Sequence, residues 1–109
     1  MTIAELLLAQ LERETAATRR TLERVPEGRP DWKPHPKSMN MTSLSSHIVE
    51  IPDWGSCIVN EPEFDIPTDY KTELAKTTAD LLSRWDKNFA KCIADISKFP
   101  DTKWMEPWT

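Results

Sequence analysis

Two histidines, His35 and His47, supply all the imidazole in the chain. Imidazole is the side chain most used for metal ligation and for proton transfer near neutral pH. The two differ in setting. His35 lies between Pro34 and Pro36, in a stretch that has to be extended, where a surface role is expected. His47 comes three residues after Leu44 and four before Ile51, on the border of an apolar helical face. Glu50 lies three residues further on, roughly on the same side, and Asp53 is a second carboxylate near that surface. Bundle helices offer two inward ligands at i, i+3 spacing, although di-iron bundles place the Glu first and the His third. Two readings of His47 follow: a core-edge histidine hydrogen-bonded to a carbonyl, or one ligand of a divalent metal. Glu50 and Asp53 are solvated carboxylates on the first reading and accessory oxygen ligands on the second. A metal site normally takes three protein ligands, and neither HExxH nor CxxC occurs.

Other chemistry is thinly represented. Glu14 and Thr18 approach the inner face of the first helical segment, as hydrogen-bond partners of a histidine or as the edge of the stripe. No serine or cysteine has a base beside it in sequence, and Ser43, Ser45 and Ser46 fall in the first turn of a helix, where serine is common for capping reasons. Cys57 and Cys92 are expected in different helices, reduced, as small buried apolar residues. No glycine-rich phosphate loop is present.

The elements that must position these residues are helical. Thr2 and Glu5 form a capping box, and Ile3, Leu7, Leu11, Thr15, Thr18, Leu22 and Val25 keep one face aligned at steps of three and four. Pro26 and Gly28 end that helix. Residues 26–40 contain Pro26, Pro30, Pro34 and Pro36 and are expected as an extended connection, pinned by Trp32 and Met39. Thr42 is the expected N-cap of a second helix with the face Leu44, Ile48, Ile51 and Cys57 or Ile58, flanked by His47 and Trp54. Pro52 inside it predicts a kink or a broken ladder. Thr68 or Asp69 is the expected cap of a third helix, with the face Leu74, Thr78, Leu81, Trp85, Phe89, Cys92, Ile96 and Phe99. The fold class that results is all-α, an antiparallel bundle of three long helices forming one domain over residues 1–109.

The totals agree with this. Of 109 residues, 39% are hydrophobic and 29% charged, and two glycines are few for a turn-rich β fold. A net charge of −4 and a single close basic pair, Arg19-Arg20, argue against nucleic-acid binding. No run approaches a membrane span or a signal peptide, so a cytoplasmic location is the default expectation.

Together these segments resemble the DinB-like (damage-inducible, YfiT-related) superfamily of four-helix-bundle metalloenzymes. Leu6–Met39, LLLAQLERETAATRRTLERVPEGRPDWKPHPKSM, and Met41–Gly55, MTSLSSHIVEIPDWG, carry the resemblance. It implies three histidines on a divalent metal, often nickel or zinc: one from the second helix, matched by His47, and two from an HxxxH on a fourth. It also implies thiol-dependent transferase or hydrolase chemistry on small molecules. No HxxxH is present and the sequence stops at Thr109, so the expectation is a domain lacking the C-terminal metal-ligand helix, with an incomplete site. An apolar groove is then expected along Leu7, Leu11, Ile48, Ile51, Leu81 and Trp85, covered by a second copy in a homodimer. Pairing would bring two copies of His47 together, with Glu50 or Asp53 as oxygen ligands. The alternatives are a non-catalytic binding module that uses the groove, and a structural remnant.

Overall fold

Thr2 starts the first helix as its spacing predicts. Its hydroxyl accepts from the Glu5 amide at 3.1 Å and the Glu5 carboxylate accepts from the Thr2 amide at 3.2 Å. The structure is a computed structural model and describes residues 2–29, 31–63 and 65–108. Three helices account for most of it: α1 (Ile3–Glu23), α2 (Met41–Asn60) and α3 (Thr78–Lys98), followed by a short 3-10 turn at Asp101–Lys103. The all-α bundle is as the periodicity predicts. In α1 the buried line is turned slightly from the expected one. Ala4 and Leu22 are buried, Leu8 and Leu11 are partly buried against the core, and Ile3 stays exposed. The Ile3 amide is capped by the Asp101 carboxylate at 2.8 Å, so the chain's last turn closes over its first.

The start of α2 lies two residues earlier than expected. Asn40, not Thr42, is the N-cap, and its side-chain oxygen accepts from the Ser43 amide at 2.8 Å. Asparagine caps at least as well as threonine, and the earlier cap adds half a turn. The connection before it is tied down through backbone, since the Met41 amide donates to the Trp32 carbonyl. The side chains of Trp32 and Met39, expected as pins, are exposed. Helix α2 runs unbroken through Pro52. The Asn88 side-chain amide Nδ2 donates to the Val49 carbonyl at 2.8 Å, next to the Ile48 carbonyl, to which Pro52 cannot donate.

The third helix begins at Thr78, capped by the Thr77 hydroxyl, not at Thr68 or Asp69. The topology explains the difference. Val49 meets Asn88, Gly55 meets Cys92 and Asn60 meets Asp95, so α2 and α3 run in the same direction. The chain therefore has to return along α2, about 30 Å for 20 residues at helical rise. A helix starting at residue 68 would leave only the residues from Glu61 to Pro67, which span about 23 Å when extended. The described residues of 61–77 instead form a non-helical crossover. Its Ala75 amide donates to Ser46 Oγ at 2.9 Å, and its Glu73 carbonyl accepts from Arg84 Nη1 at 2.8 Å. The expected antiparallel order holds for α1 against α3, where Trp85 Nε1 donates to Thr15 Oγ1 and Arg19 grips Asp86 with two bonds of 3.0 Å.

Helix α3 sits in the middle, packed by α1 and by α2. One core cluster joins Leu22, Val49, Leu81 and Trp85, and a second joins Ala4, Cys92 and Ile96. Cys57 and Cys92 are free thiols, and burial pushes the Cys92 thiol up from its ordinary value. The aromatic C-terminal segment folds back. Trp104 packs edge-on against Phe99 at 4.5 Å, and Trp108 Nε1 donates to the Glu61 carbonyl at 2.9 Å.

Candidate functional site

Helix α2 carries two stripes at helical spacing, and the larger apolar residues are on the outer one. Ser45, Val49, Pro52 and Ser56 are buried, whereas Leu44 and Ile51, expected on the core face, and Ile58, expected there as an alternative to Cys57, are 44%, 49% and 44% exposed. Helices α2 and α3 approach closely at Gly55. A Cβ placed on Gly55 would meet Cys92 Sγ at 3.0 Å, so there is no room for a larger side chain at this point, while Val49, nearer the start of α2, is buried against Leu81 and Trp85. His47 and Trp54 complete the outer stripe, Leu44–His47–Ile51–Trp54–Ile58, whose alternating steps of three and four keep it on one face.

His47 is held by its own helix and by the crossover. Its Nδ1 lies 2.7 Å from Glu50 Oε1, one turn away. Thr72 Oγ1 donates to the same carboxylate oxygen at 2.8 Å, and Tyr70 Oη donates to Glu50 Oε2 at 2.5 Å. Trp54 closes the ring of side chains. Its indole stands edge-on to His47 at 5.5 Å and to Tyr70 at 5.9 Å. A carboxylate only accepts, so the hydrogen on the His47–Glu50 contact belongs to Nδ1. In the neutral ring this leaves the Nε2 lone pair free. Carboxylate–imidazole pairs of this kind fix tautomer and ring orientation at metal sites and in acid–base catalysis.

Glu50 sits in opposing influences. Burial raises its pKa, but the hydrogen bonds from Tyr70, His47 and Thr72 outweigh it and hold the carboxyl below its ordinary range. The Tyr70 phenol is pushed up, chiefly by its bond to Glu50 and then by burial, because its deprotonation would set two anions together; a hydrogen bond from Trp54 opposes this. Three donors thus converge on the two oxygens of Glu50. Asp53 is drawn toward α3, where Lys91 Nζ lies 3.8 Å from it.

The remaining sequence-predicted residues are scattered. His35 Nδ1 accepts from the Lys37 amide in its own turn, Glu14 is exposed and Thr18 half-buried. The six expected groove residues do not line one open groove. Leu81 and Trp85 are buried at the centre of the bundle, because α3 packs them against Leu22 and Val49. Leu11 and Ile48 pack at the edges of the core, Leu7 is half-buried, and Ile51 lies outside on the stripe. Two clefts of about 400 and 350 Å³ lie at the N- and C-terminal ends of α2, and neither is lined by His47 or Glu50. The partners that sequence reasoning missed are Tyr70 and Thr72. They stand 20 and 22 residues from Glu50, with no local pattern to reveal them. Trp54, at i+7 from His47, was detectable as the next member of its stripe.

Among the described residues the side chains do not make a complete site for a divalent metal of the kind the resemblance implies. Among the described residues no group of three or more His, Cys, Asp or Glu side chains converges. What the geometry does offer is one oriented imidazole. Among the described residues no helix is long and apolar enough to cross a membrane.

No curated protein and no solved structure matches the chain. The family model of the DinB superfamily matches residues 10–109. That span takes in α2 with His47, the crossover with Tyr70 and Thr72, and all of α3. The chain belongs to the DinB superfamily.

Proposed function

We propose that this domain contributes a single donor, His47 Nε2, to a divalent-metal site that is completed only when a second copy docks on the outer stripe of α2. The observation that carries this is the Nδ1–Glu50 bond, which in the neutral ring leaves Nε2 as the lone-pair nitrogen. Leu44, Ile51 and Ile58 flank it with exposed branched side chains, the surface that a pairing helix would cover. The transferase or hydrolase class implied by the resemblance would belong to such an assembly. Binding of Ni²⁺ or Zn²⁺ measured by calorimetry, together with mass by light scattering, tests this. Metal should raise the mass from monomer to dimer, and His47→Ala should abolish both effects. Equal metal binding by the variant, or none by the unaltered chain, would refute it.

The exposed stripe itself supports a second reading, a metal-independent interaction face. In that case self-association persists in His47→Ala, occurs without metal, and disappears in Ile51→Lys.

A further inference from the structure

We propose that Tyr70 and Thr72 are positioning residues for His47: from the crossover they hold Glu50 so that its carboxylate takes the Nδ1 proton and leaves Nε2 as the presented nitrogen. The inference deepens the reading of His47 as a donor and depends on that reading for its functional meaning, but its geometry stands alone. A glutamate three residues from a histidine on an open helix face has several rotamers, and water competes for its oxygens. Here Thr72 Oγ1 binds the oxygen that faces His47, and Tyr70 Oη binds the other. Both oxygens are thereby fixed from outside the helix. The side chain of Glu50 is left only 16% exposed, against 34% for His47, so the carboxylate is withdrawn while the imidazole stays accessible. Trp54 touches both His47 and Tyr70 and limits rotation of the two rings. The crossover is thus more than a connection, since two of its side chains set the orientation of a group on α2.

Long-range ¹H–¹⁵N correlation on the labelled full chain at about pH 8, where imidazole is ordinarily neutral, reads the tautomer directly. His47 should appear as the Nδ1–H form, with His35 in the same spectrum as an internal control. In Tyr70→Phe combined with Thr72→Val the tautomer ratio should move toward Nε2–H by roughly tenfold, the worth of one Nδ1–H bond to a carboxylate that is no longer held in place. Thr72→Ser keeps the hydroxyl and should keep the Nδ1–H form. An Nε2–H ring in the unaltered chain overturns the proposal without any variant. So does an unchanged tautomer in the folded double variant, since a merely structural strap would give that result. If the double variant fails to fold, Tyr70→Phe and Thr72→Val singly decide the same question. Failure of the metal reading looks different: the Nδ1–H form is present, yet added Zn²⁺ leaves Nε2 unmoved.

Discussion

Removal of the Glu50 carboxylate is the most informative perturbation. Glu50→Ala deprives three donors of their acceptor: His47 Nδ1, Thr72 Oγ1 and Tyr70 Oη. Hydrogen bonds to a charged group contribute about 1.5–3 kcal/mol each when well buried. Tyr70 is 41% exposed and the His47 side chain 34% exposed, so water replaces part of what is lost. A discounted value of about 1 kcal/mol per bond gives a loss of about 3 kcal/mol for Glu50→Ala. Glu50→Gln keeps one acceptor oxygen and should lose about 1–2 kcal/mol. The effect has a definite pH dependence. Glu50 is held below its ordinary pKa in the folded chain, so its contribution is present above the unfolded value of about 4.3 and disappears as pH falls through the folded one. Urea unfolding of the unaltered chain and of Glu50→Gln should therefore show a gap at pH 7 that closes in acid. A loss below about 0.5 kcal/mol for Glu50→Ala would place it among ordinary surface substitutions. That result, or a gap unchanged in acid, would refute the network.

Two further substitutions test the interface of α2 with α3. Ser56 is fully buried and its hydroxyl has no hydrogen-bond partner among the described residues, so Ser56→Ala should stabilise the chain by about 1 kcal/mol in thermal or urea unfolding, by removing an unpaired polar group and improving helix propensity. Gly55→Ala sets a helix gain of about 1 kcal/mol against overpacking of about 1–3 kcal/mol. With Cys92 Sγ at 3.0 Å from the new Cβ and itself buried, the second should win, and the midpoint of urea unfolding should fall.

What was legible in the sequence follows from what periodicity measures. In α3, Leu81, Trp85, Cys92 and Ile96 are both the apolar repeat and the buried face, because α3 lies between the other two helices and buries its apolar line against both. In α2 the same reasoning selected Leu44, Ile48, Ile51 and Cys57 or Ile58; Ile48 packs against the core, whereas Leu44, Ile51 and Ile58 are outside. Hydrophobicity ranks residues by transfer from water, whereas a close helix–helix contact selects for small volume, so Ser45, Ser56 and Gly55 won the interface. The i, i+3 spacing of His47 and Glu50 was visible as a pairing but not as a role. That role depends on Tyr70 and Thr72, which are brought to Glu50 only by the path of the crossover. Treating residues 68–77 as helix concealed that path.

The geometry around His47 is a consequence of that path. Parallel α2 and α3 require a return segment as long as α2, and this one passes beside α2 with Ala75 on Ser46 and with Tyr70 and Thr72 on Glu50. The same pairing brings the small residues of α2 against α3, which leaves the branched stripe facing away from the core. Orientation of the imidazole and exposure of the apolar residues beside it therefore arise from one topological choice. Reversing α2 against α3 would dispense with the long crossover and remove the groups that fix Glu50. A shorter connection would do the same, since it could not reach both ends of α2. The measurement of the His47 tautomer is, for this reason, also a test of how the crossover runs in solution.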